Sequence, residues 1–179
     1  MHLNYIFCDE TGMKVNLDKT KIIVFRQGGP LRSYEKWYFK GQPIQTVSSY
    51  RYLGILFTPK LVWSKVQTAL ASQARKAILS INSFQRKVGN ISCIDMFKMF
   101  DCMVTPILCY GAEIWGTSYC KCIESVHLTF CKYFLNVNKY TCSNMVLGEC
   151  GRYPLQLTYM TRVISYWCRI LQLPPSRLP

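Results

Sequence analysis

Between residues 61 and 88 the apolar side chains Trp63, Val66, Leu70, Ala74, Ala77, Ile78, Ile81 and Phe84 recur at helical spacing. A stripe of that length predicts one long amphipathic helix with a single face to bury. The opposite face carries Lys65, Ser72, Lys76, Ser83 and Lys87, with Arg75 and Arg86 beside them. Gly89 and Asn90 supply a stop. Ser92, with Asp95 three residues on, forms a capping-box variant that starts a second helix through MFKMFDCMV. Pro106 should kink or interrupt that helix, because it lacks an amide hydrogen and crowds the preceding turn. Further helices are expected over 123–135, 144–149 and 155–171, and PPSRLP reads as an extended tail.

Before Pro59 the pattern is different. KIIVF (21–25) is a β-branched apolar run, and RQGGPLRS after it has turn composition. KWYFKGQPIQTV reads as a hairpin joined near Gly41 and Gln42, with Pro43 tolerable only at a strand start or edge. YRYLGILF reads as one further strand, in which Gly54 marks a bulge or the close approach of another backbone. The expected fold class is therefore α+β. Residues 1–59 form a small antiparallel sheet, too small to stand alone, and residues 60–179 form an all-helical bundle.

The charge balance narrows the partner. The chain has 179 residues and a net charge of +13, from 22 Lys and Arg against 9 Asp and Glu. Between Glu35 and Asp95 there is no carboxylate, while nine basic residues fall in that interval. Such a run favours a polyanion, nucleic acid ahead of an anionic membrane face. No apolar stretch reaches membrane-spanning length before Pro, Gly or Glu breaks it. The start MHLNYIF lacks the pattern of a signal peptide. The ten cysteines are accordingly expected in a reducing, intracellular compartment, most of them as small buried hydrophobes.

Catalytic constellations are sparse. Cys120, Cys122, His127 and Cys131 approach a zinc knuckle, but the first pair is too tight and the last gap too short. Helical periodicity already places His127 and Cys131 on one face. Asp9 and Glu10 are adjacent, so their side chains diverge and cannot chelate a metal pair unaided. Neither His2 nor His127 offers a base for a nucleophile, and no phosphate-binding glycine motif occurs. No catalytic residue and no metal ligand is assigned.

Several stretches in order, GMKVNLDKTKIIVF, WYFKGQPIQTVSSYRYLGILF, QARKAILSI, FDCMVTPILCYGAEIWG, IESVHLTFCKYFLNV and VLGECGRYPL, together resemble the reverse transcriptases of non-LTR (LINE-type) retrotransposons in the portion after the catalytic site. The resemblance covers roughly residues 12 to 168. It implies a palm remnant with a primer-grip hairpin in 1–59, and a thumb and post-thumb region in 60–179. Gly12, Met13, Val15, Asn16, Lys19 and Thr20 match the palm motif that follows the metal-binding aspartates. There Lys19 would lie near the incoming nucleotide phosphate, or else be a lysine exposed on a turn. Tyr52, Leu53 and Gly54 match the primer grip, so a primer backbone would approach Gly54, unless the glycine serves packing alone. The helix over 61–88 resembles the start of the thumb, with Lys65, Arg75, Lys76, Arg86 and Lys87 facing an RNA–DNA hybrid or RNA without regard to sequence.

The aromatic-Ala-Asp-Asp turn of that family is missing, as are the fingers, and no Asp-Asp pair occurs. The resemblance thus implies a truncated fragment of an RNA-directed DNA polymerase that binds template-primer but does not polymerise. Mg²⁺ is expected only for the full-length enzyme. The family's work on chromosomal DNA implies a nuclear setting. The alternative is a stand-alone small basic nucleic-acid-binding protein, zinc-dependent if the Cys/His pattern holds metal.

Overall fold

The computed structural model describes residues 10–32 and 34–174, which form two compact units, Met1–Trp63 and Ser64–Pro179. Asp9 and His2, and the expected tail beyond Pro174, lie outside the described residues.

The first unit is built from short strands: β1 (Lys21–Ile22), β2 (Tyr38–Phe39), β3 (Gln42–Pro43), β4 (Gln45–Thr46), β5 (Tyr50–Tyr52) and β6 (Ile55–Phe57). They do not join into the expected antiparallel sheet. They form three two-stranded ladders, and one of these, β1 with β4, is parallel. The parallel pair is held by the bond from Val47 N–H to Ile22 C=O (2.9 Å) and by Lys21 Nζ on Gln45 Oε1 (2.6 Å). Pro43, at the end of β3, stands opposite Tyr38 where the ladder needs no N–H, and the pairing goes on past it with Ile44 N–H donating to Trp37 C=O (2.8 Å).

Both hairpins turn on two residues with positive φ, Lys40–Gly41 (47° and 79°) and Leu53–Gly54 (47° and 84°). This corrects the reading of YRYLGILF as a single bulged strand. Its two halves fold back on each other with Tyr52 opposite Ile55, and Gly54 closes the loop. The backbone twist of such a primed turn matches that of its strands, which is why glycine stands there.

The second unit is helical: α1 (Ser64–Val88), α2 (Cys93–Met99), a π-helical segment (Phe100–Val104), α3 (Thr105–Leu108), α4 (Ala112–Trp115), α5 (Lys121–Phe134), α6 (Ser143–Glu149) and α7 (Leu155–Leu171). α1 starts at Ser64 rather than at residue 61, because Leu61 sits at φ 51° and the hydroxyl of Thr58 takes the N–H of Val62. Trp63 therefore precedes the helix, as the last residue of the first unit, and packs edge-on against Phe57 of the same unit at 5.7 Å. Val66, Leu70, Ala71, Ala74 and Ile81 are the residues α1 buries. Phe84, expected on the same face, is 50% exposed.

Ser92 caps α2 as expected, its Oγ accepting the N–H of Asp95 at 3.1 Å. Pro106 interrupts the helix that follows by widening it. The N–H of Thr105 reaches back five residues to Phe100 C=O, so the ring of Pro106 escapes a clash with the carbonyl four residues before it.

Phe100, Val104, Leu108, Trp115, Ile123, Phe130 and Tyr159 form the centre of the core. Trp115 donates its indole N–H to Tyr110 C=O (2.9 Å), and the hydroxyl of Tyr159 accepts the N–H of Cys120 (3.0 Å). Glu124 is buried and accepts the N–H groups of Leu155 (3.2 Å) and Gln156 (2.6 Å). It supplies α7 with the N-terminal cap that Pro154 cannot provide. Gly116 is required where α4 ends on α7, since a Cβ there would stand 2.6 Å from Ala112 C=O.

Candidate nucleic-acid interface

On a helix that advances about 100° per residue, Lys65, Arg75, Lys76, Arg86 and Lys87 fall within an arc of about 120°. That arc lies opposite the buried residues of α1, and all five side chains are exposed. α1 contains no Asp or Glu, and none of the five forms an ion pair with a described residue. Three of the five carboxylates of this unit are engaged elsewhere: Asp95 with Lys98 (3.5 Å), Asp101 with Arg152, and Glu124 on the start of α7. The positive field of α1 therefore meets solvent uncompensated. Arg75–Lys76 and Arg86–Lys87 form two dibasic steps, about 16 Å apart along the axis. The second also sits in the last turn, where cations suit the helix dipole.

Tertiary packing adds residues that the sequence reading missed. α5 packs beside α1, and between them lies a cavity of about 370 Å³ lined by Arg75, Ile78, Leu79, Asn82, Val126, Thr129, Phe130 and Tyr133. On the other side of Tyr133 and Thr129 a second hollow holds Lys121, Lys132 and Lys139. Tyr133, 54% exposed, thus stands between Arg75 and these three lysines. The available signal was the alternation of Lys and Tyr in CKYFLNVNKY, which helical periodicity alone assigns to a solvated face.

In the first unit Lys19 is exposed on a turn. Asn16 closes that turn, its Oδ1 accepting the N–H of Lys19 at 3.1 Å and its C=O that of Thr20 at 3.0 Å. The hydroxyl of Tyr50 donates to Lys19 C=O (3.1 Å) and so ties this turn to the second hairpin. Tyr52, Leu53 and Gly54 lie at the tip of that hairpin, with Leu53 71% exposed at a left-handed φ. A leucine there costs on the order of 1 kcal/mol.

The knuckle-like residues separate in space. The sulfurs of Cys120 and Cys122 are 3.3 Å apart, whereas Cys131 pairs with Cys150, and His127 stacks against Phe100 with ring centroids 5.3 Å apart. Among the described residues no three His, Cys, Asp or Glu side chains converge as a metal site. Burial holds the pKa of His127 down to about 4, with the nearby Arg152 cation adding to the effect. Burial likewise pushes the Cys131 thiol up to about 12 and the Cys109 thiol to about 11. The nine cysteines among the described residues are all free, but only Cys109, Cys120 and Cys131 are buried, fewer than the composition predicts. Cys93, Cys102, Cys142 and Cys168 are exposed.

No described helix is long and apolar enough to cross a membrane. No family model, curated protein or solved structure matches the chain.

Proposed function

We propose that this chain is a sequence-independent nucleic-acid-binding fragment of a non-LTR retrotransposon reverse transcriptase, corresponding to the end of its palm, the primer grip and the thumb. The observation that carries this reading is the basic arc of α1, five cations and no carboxylate on the face opposite the core. Phosphates are the ligand such an arc serves, because contacts to a backbone need charge and reach but no base pattern. An RNA–DNA hybrid of A-like form hides its major groove from side chains, so backbone contacts are the ones it offers. In this reading α1 lies along the template-primer. The Tyr52–Gly54 tip approaches the primer strand, and Lys19 approaches a nucleotide phosphate. Without an aspartate pair, residues 1–179 contribute binding and not phosphoryl transfer.

The test is binding of the purified chain to a labelled RNA–DNA hybrid over a salt series, with single-stranded RNA and duplex DNA alongside. The expected result is binding that weakens steeply with salt. Charge reversal at Lys76, Arg86 and Lys87 together lowers affinity for every sequence alike and flattens the logarithmic salt slope by about 2 to 3. Failure to bind the hybrid, or a loss confined to one sequence, would sink the reading.

A further inference from the structure

α7 turns an apolar stripe to solvent. Its buried residues are Leu155 and Tyr159, and Val163 on the same side lies against Gly116, where α4 ends. About a third of a turn further round the helix run Leu157, Met160, Ile164, Trp167 and Leu171, spaced alternately three and four residues apart. That is the a/d repeat of a two-helix seam, carried through two heptads. Leu157, Ile164, Trp167 and Leu171 are between 54% and 68% exposed. Single apolar side chains on a surface are ordinary, but a continuous row of them along one helix marks an interface.

The charge pattern points to the occupant. The only charged residues of α7 are Arg162 and Arg169, one heptad apart on the side away from the stripe. The positions that flank the stripe are Gln156, Thr161, Val163, Cys168 and Ile170. A helix that lies on an anionic membrane borders its apolar face with Lys and Arg, and a helix that selects a different partner helix does so through charges at these flanks. α7 has neither. A second copy brings the same repeat and buries no charge, which a chain of net charge +13 requires of any surface that meets itself. The stripe exposes on the order of 500 Å² per copy, so two copies bury about 1,000 Å², the size at which specific interfaces begin.

We propose that α7 is a self-association helix. Two copies of the chain pair their stripes about a two-fold axis, with Ile164 and Trp167 near the centre of the contact. The contact is apolar, so added salt spares it, whereas added salt weakens a phosphate complex.

The test is sedimentation equilibrium of the full chain across the micromolar range, at low and high salt and without nucleic acid. The wild type is expected to pass from one chain to two as concentration rises, at both salt concentrations. Ile164→Lys changes an exposed position, so it should keep the wild-type urea midpoint while weakening the pair by about tenfold or more. Ser165→Lys adds the same charge to the exposed surface beside the stripe and should leave the pair intact. A single-chain mass at every concentration, undiminished pairing in the Ile164 variant, equal weakening in both variants, or a mass that grows past two chains without a plateau would overturn the proposal. Binding of a monomeric chain to neutral lipid vesicles would also overturn it and give the stripe to a membrane. Because the measurement contains no nucleic acid, its failure leaves the nucleic-acid reading standing, and failure to bind the hybrid leaves the pair standing.

Discussion

The two units of the chain keep their shape by different means. In Met1–Trp63 the buried hydrophobic side chains among the described residues are Ile44 and Ile55, whereas Ser64–Pro179 buries Trp115, Phe100, Phe130, Tyr159 and many others. The first unit relies on turns and local hydrogen bonds: Asn16 on Lys19, Glu35 between Arg26 Nη2 (2.9 Å) and the N–H of Arg32 (2.6 Å), and two glycine-closed hairpins. The second relies on apolar burial around a few satisfied polar groups. The lesson is where a binding surface can be held rigid. Arg75, Asn82 and Tyr133 keep their spacing because α1 and α5 share a core, while the Tyr52–Gly54 tip rides on a three-pair ladder tied to the Lys19 turn by the Tyr50 hydroxyl.

The sharpest way to break this contrast is Trp115→Ala. It empties a fully buried indole site and removes the indole N–H that Tyr110 C=O accepts, so urea unfolding of the helical unit should register a loss of about 3–5 kcal/mol. A loss below about 1 kcal/mol would mean that burial does not dominate there.

The next effect is acid sensitivity through His127, whose facing groups are Arg152 and Asp101. Its pKa is about 4 in the folded chain, below the ordinary 6.5, so the unfolded chain binds the proton first as pH falls. Stability should therefore decline between about pH 6.5 and 4, by on the order of 3 kcal/mol, and level off below. His127→Phe should remove this limb from a pH series of denaturation midpoints. The hydrogen bond from Arg152 holds the Asp101 carboxyl below its usual range, so its own contribution is lost as pH falls further. An unchanged pH series in the variant would disprove the assignment to His127.

The smallest effect tests the first unit. Leu53→Asn replaces a strained leucine with a residue that tolerates left-handed φ, so the hairpin should gain up to about 1 kcal/mol in amide protection. If the tip grips a primer, the same variant binds the RNA–DNA hybrid less tightly despite the gain. A more protected hairpin with undiminished binding would remove Leu53 from the interface.

Legibility in the sequence followed the range of the interactions involved. α7 occupies the residues its periodicity indicates, and the Ser92–Asp95 cap is present, because both depend on neighbours a few residues away. The Leu53–Gly54 turn was hidden by its first residue, since Asn, Asp or Gly is the usual mark of a primed turn. The parallel pairing of β1 with β4 was not legible either. It joins Lys21 to Gln45 across an intervening hairpin, and strands of two residues carry no alternation from which register could be read. The scattering of Cys120, Cys122, His127 and Cys131 followed from packing, with the sulfur of Cys131 turned to Cys150 and the ring of His127 to Phe100.

The sequence by itself determined the division into β-rich and helical parts and the five cations that α1 turns away from its apolar face. Periodicity and charge are properties of a single segment, and a helix of known pitch converts them directly into faces. Only the tertiary structure decided that Asn82 would be buried without a donor, that Tyr133 would stand beside Arg75, and that the strands would pair as separate ladders. Those relations join segments distant along the chain, where the cost of closing the intervening loops and the fit of one surface on another, rather than local preference, select the partner.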